Sequence, residues 1–63
     1  MQRDAEEAFR RYLAMIPDRL LADVTSDFMW LAEEFADEAV GEDYRIRFDL
    51  CCTESARRSV RAA

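Results

Sequence analysis

The sequence predicts an α+β chain, mostly helical, in which a helical hairpin packs on a strand layer in the order α-α-β-α. Three observations lead there. Apolar residues recur at helical spacing from Ala5 to Ile16 and again from Leu20 to Phe35, the period of helices with one buried face. Tyr44, Ile46, Phe48, Leu50 and Cys52 then alternate with Arg45, Arg47, Asp49 and Cys51, the period of a half-buried strand. The chain has 63 residues, room for a single small domain with a modest core.

The first helix is predicted over 3–16. Ala5, Ala8, Phe9, Tyr12, Leu13 and Ile16 share one side, and Arg3, Glu6, Glu7, Arg10 and Arg11 fill the other. Glu6 with Arg10 and Glu7 with Arg11 are i,i+4 pairs in the favourable order, each worth roughly 0.2–0.5 kcal/mol. Pro17 ends this helix, because the residue before a proline is pushed out of the α region. A second helix starts there, with Asp18 suited to the positive end of its dipole. It is predicted over 17–40, with Gly41 as a left-handed residue closing its C-terminus. The short connection folds the two helices into a hairpin or a sharply bent pair. Val24-Thr25-Ser26-Asp27 offers an internal break, with Ser26 as a new N-cap. The spacing of Leu20, Val24, Phe28, Leu31 and Phe35 through it favours continuity.

Residues 44–52 form the predicted strand, and its ladder groups need partners. The tail, a second copy of the chain or a target's sheet could supply them by strand addition. The tail, 53–63, reads as a short helix capped by Thr53, with Ala56 and Val60 inward and Arg57, Arg58 and Arg61 outward. It reads equally as a frayed end, or as a weak second strand around Val60. The predicted core is Phe9, Tyr12, Ile16, Val24, Phe28, Leu31, Phe35, Ile46, Phe48 and Leu50.

Composition narrows the function. There is no apolar run of the ~18 residues that a membrane span needs, and MQRDAEEAF carries charge where a signal peptide would be apolar. A cytoplasmic protein is expected. Cys51 and Cys52 are adjacent, which does not suit an ordinary disulfide, so free thiols are expected, with Cys51 a small semi-buried one. Two Cys and no His fall short of a zinc site, and no calcium-loop motif is present. No metal or cofactor is expected. Without His, Lys or a Gly-rich loop, neither a Ser-His nor a Cys-His nucleophile pair can be assembled. The chain is not expected to be an enzyme.

Charge is uneven along the chain. Residues 1–43 carry twelve carboxylates against four Arg, and residues 44–63 carry five Arg against two carboxylates. The only Trp lies in the most acidic run, SDFMWLAEEFADEAVGED. On a helical wheel at about 100° per residue, Trp30 lies nearly opposite the apolar arc. Asp23, Asp27, Glu33, Glu34 and Asp37 share its side. Trp is the residue type most enriched at interface hot spots, and surrounding carboxylates select a basic partner. Packing of Trp30 under the tail or the strand is the competing structural reading.

By size, acidity and compactness, the chain resembles the small acidic phage-encoded inhibitors of the anti-CRISPR and DNA-mimic type. The resemblance implies an inhibitor that occludes a basic surface of a nucleic-acid-binding complex through Trp30, Asp23, Asp27, Glu33, Glu34 and Asp37. No direct contact with nucleic acid is expected. The Arg-rich C-terminal part departs from a uniformly acidic mimic and confines any mimicry to the helical face. Two alternatives stand beside it. One is a homodimeric structural or adaptor protein assembled by pairing of strand 44–52. The other is an antitoxin-like neutraliser of a basic toxin.

Overall fold

The structure, a computed structural model, describes residues 1–62. Three helices follow in order: α1 (Arg3–Met15), α2 (Asp18–Glu34) and α3 (Ala39–Ala62). No strand occurs among the described residues. The chain is all-α, and the predicted α+β layout with a strand at 44–52 is overturned.

The first two helices follow their local signals closely. Both i,i+4 pairs of α1 form, Glu6 with Arg10 at 2.9 Å and Glu7 with Arg11 at 3.0 Å. Ile16 is extended, at ψ 150°, ahead of Pro17, as the steric rule for pre-proline residues requires. Helix α2 runs unbroken through Val24–Asp27. Thr25 sits inside it with its hydroxyl donating to the Leu21 carbonyl at 2.7 Å, so its polar group is satisfied without a break.

Helix α2 stops at Glu34, six residues before the predicted end, and a turn over 35–38 leads into α3. Electrostatics explains the stop. Glu33, Glu34, Asp37 and Glu38 follow one another with no basic residue in the last turn of α2. Carboxylates are unfavourable at the negative end of a helix dipole and favourable at the positive end. Ending α2 early leaves Asp37 and Glu38 ahead of the α3 N-terminus instead. Gly41 is therefore not a left-handed cap, and it has no positive φ. It lies in the first turn of α3, where a Cβ would run into the Phe35 carbonyl oxygen. Glycine is needed there because two backbone segments nearly touch.

Residues 44–52 lie within the 24-residue α3. Their apolar alternation arises from two flanks of a helix, Ile46 and Leu50 on one and Phe48 on the other. The inward line between them, Tyr44, Arg47, Cys51, Glu54 and Arg58, has helical spacing but three charged members. Those charges hide the helical period. With its backbone groups bonded within the helix, the segment offers no ladder, and the strand-paired homodimer falls with the strand. The tail continues the same helix. Thr53 does not cap it, since its hydroxyl donates back to the Asp49 carbonyl at 3.0 Å. Ala56 and Val60 are exposed and Arg58 turns inward, against the predicted facing, while Arg57 and Arg61 are exposed as predicted. Position 63 of the predicted tail lies outside the described residues.

The core is small and sits where α3 packs along α2 and crosses α1. Leu13, Ile16, Leu21, Leu50 and Cys51 are buried, and Phe9, Val24, Phe28 and Ile46 pack against them. Leu31, Phe35 and Phe48 are half-buried. Tyr12, predicted inside, is 45 % exposed, because Phe9 and Leu13 take the inner side of α1. Cys51, expected to be semi-buried at a strand end, is fully buried. Phe9 meets Phe28 edge to face at 5.6 Å between centroids, and Tyr44 bridges Phe28 and Phe35 at 6.2 and 5.9 Å. The Arg47 guanidinium lies 6.0 Å from the Phe9 ring centre and 5.9 Å from that of Phe28. A cation over aromatic faces keeps its charge favourably placed while its stem packs.

Candidate functional site

Asp23, Asp27, Trp30, Glu33 and Glu34 all lie on α2 and all are exposed. Asp23, Asp27, Trp30 and Glu34 follow at i, i+4, i+7 and i+11, a ridge about 16 Å long at 1.5 Å per residue. Glu33 flanks it. Asp37, predicted on the same helix, sits in the turn just beyond α2 and is also exposed. Trp30 is 58 % exposed. Neither the tail nor α1 covers it, because α3 packs on the opposite side of α2.

The ridge is electrostatically bare. Among the described residues, none of its five carboxylates forms an ion pair; the acids that do are Glu6, Glu7, Asp18, Asp43 and Glu54. Beyond Arg19, α2 has no basic residue. Met29, a residue the sequence reading left out, is exposed beside Trp30 and adds a flexible apolar contact to the face. The same helical wheel carries the signal for it, one residue before Trp30 and four before Glu33.

A second polar cluster escaped sequence reading altogether. Arg58 donates to the carbonyls of Leu13 and Ile16, to Asp18 Oδ1 and to Glu54 Oε2, each at 2.7 Å. The carbonyls at the end of a helix lack internal partners, and a cation there also suits the dipole. Arg58 thus closes α1 and binds it to the start of α2 and to α3. Arg57 donates to both Glu54 oxygens at 3.0 and 2.6 Å. Hydrogen bonds from Arg57 and then Arg58 hold the buried Glu54 carboxyl at about 2, below its ordinary 4.5. The Glu54-to-Arg58 spacing is visible in the sequence. That the pair would reach the end of α1 depends on how the helices cross.

The thiols divide in the same way. Burial pushes the Cys51 thiol up, against a smaller lowering influence of the neighbouring Thr25 hydroxyl, which makes a poor nucleophile. Cys52 is exposed. Among the described residues no group of three or more acidic or Cys side chains converges as a metal site would require, and no helix is long and apolar enough to cross a membrane. No protein-family model, curated protein or solved structure matches this chain.

Proposed function

We propose that this chain is a small binding protein that occludes a basic protein surface, of the kind a nucleic-acid-binding complex presents to nucleic acid. One observation supports the reading above all: Trp30 stands 58 % exposed within a ridge of carboxylates that have no ion-pair partner among the described residues. An exposed Trp on water-facing carboxylates does little for a monomer. At an interface, the ring supplies a desolvated anchor, and the acids steer a basic partner and reject acidic ones. Carboxylates one helical turn apart, about 5.4 Å, lie near enough to the phosphate repeat of about 3.4 Å per strand for a groove lined with Arg and Lys to accept them. In this reading the protein acts as an inhibitor by competing with nucleic acid for that groove.

The test is capture of partners from extract of the cells that carry the gene. Immobilised wild-type chain is compared with Trp30→Ala and with Asp27→Arg/Glu34→Arg. The expected result is a basic nucleic-acid-binding protein retained by the wild type and displaced by duplex DNA and by salt. Trp30→Ala should weaken that binding by about 2 kcal/mol or more, and the double reversal should abolish it. A captured partner that holds equally well to both variants, or that ignores competing DNA, would sink the reading.

A further inference from the structure

Helix α1 differs in charge from α2. It carries three Arg and three carboxylates, whereas α2 carries five carboxylates and one Arg. Two copies of a chain of net charge −5 repel each other through α2 but meet without that penalty at α1. Along α1, Ala5, Ala8, Tyr12 and Met15 are all exposed. Their spacing of three, four and three is that of a coiled-coil seam. Met15, at 83 % exposure, is the barest large apolar side chain among the described residues. One edge of the stripe carries Asp4 and Arg11, opposite in sign, two turns apart and both exposed.

These features are self-complementary under a two-fold axis. With the axis at Ala8 and the helices antiparallel, Ala8 faces Ala8 of the second copy, and the small side chains let the backbones approach. Ala5 then lies within one residue's rise, about 1.5 Å, of Tyr12 along the axis, small against large, and Asp4 lies within the same offset of Arg11, at both ends of the contact. Among the described residues Arg11 holds only Glu7, at 3.0 Å in an exposed pair, so exchanging that partner costs little. We propose that α1 is a self-association face on which a second copy of this chain docks antiparallel through Ala5, Ala8, Tyr12 and Met15. The contact leaves the α2 ridge free, so the dimer carries two ridges, and it stands apart from the proposed inhibition.

Sedimentation equilibrium from micromolar to millimolar chain tests this directly. The wild type should pass from monomer to dimer. Ala8→Glu sets two carboxylates against each other on the axis and should stay monomeric throughout. Its circular dichroism should match the wild type, because Ala8 is exposed. Asp4→Arg and Arg11→Asp should each weaken dimerisation by about tenfold, and the double variant Asp4→Arg/Arg11→Asp should recover it. The proposal is overturned by a wild type that is still monomeric at millimolar concentration, by a dimer that survives Ala8→Glu, or by single reversals that the double variant does not rescue.

Discussion

The two polar regions of this molecule use charge in opposite ways. At the clasp, Arg57, Arg58, Glu54, Asp18 and the carbonyls of Leu13 and Ile16 satisfy one another across three helices. On the outer face of α2, five carboxylates and Trp30 stand in water with no ion-pair partner among the described residues. Partnered, with Glu54 buried and Arg58 half-buried, the first set contributes to stability. The second contributes almost none, since surface charges away from packing are worth little. The contrast shows where each kind of substitution should register: changes at the clasp in melting, changes on the ridge in binding.

Four substitutions probe that division. Leu13→Ala empties a buried site directly beneath the clasp and should cost roughly 2–5 kcal/mol, a large part of the stability of so small a domain. A urea midpoint near that of the parent would show that the core lies elsewhere. Gly41→Ala tests the ridge end of the molecule. Its Cβ would meet backbone at Phe35, which cannot swing aside as a side chain can. A loss of about 1–3 kcal/mol is expected, and a neutral result would mean the turn over 35–38 holds α3 less tightly than described.

Glu54→Gln acts on the clasp charge alone. The Glu54 carboxyl titrates lower in the folded chain than its ordinary 4.5, so it stabilises the fold above that value. The contribution is lost as pH falls from about 4.5 towards about 2. Thermal melts across this range should fall steeply for the wild type and less steeply for Glu54→Gln. The variant should also melt several degrees lower at neutral pH, and parallel profiles would contradict the role given to Glu54. Trp30→Ala should have the least effect on folding, within about 0.5 kcal/mol. Wild-type tryptophan emission should be red-shifted and readily quenched by iodide. A blue-shifted, protected emission from a monomer would place the ring inside and erase the contrast between the regions.

How much of this was legible beforehand differs from element to element. Helix α1, the stop at Pro17 and the continuity of α2 through Ser26 follow from rules that act within a few residues: i,i+4 pairing, pre-proline sterics and unbroken apolar spacing. The wheel also put Trp30 and Asp23, Asp27, Glu33 and Glu34 on the outer face of α2, and the structure puts them there. Asp37 alone left the helix, because the acids around it end α2 early. Residues 44–52 misled because their inner line contains Arg47 and, further on, Glu54 and Arg58. The absence of Gly and Pro after Gly41 was the local signal that one helix continues as far as Ala62.

Local chemistry along the chain was enough to set α1, its junction with α2, the course of α2 through Ser26 and the sign of the charge on α2, but not where α2 ends. Those features depend on neighbours within one or two turns, and the sequence states such neighbours outright. The inward turn of Arg58, the burial of Glu54, the stacking of Arg47 on Phe9 and Phe28 and the need for glycine at 41 came only from the packing of the three helices. Each depends on atoms far apart in the chain, such as Arg58 and Leu13. A charged residue reads as solvent-facing until a helix crossing brings it a partner to bond.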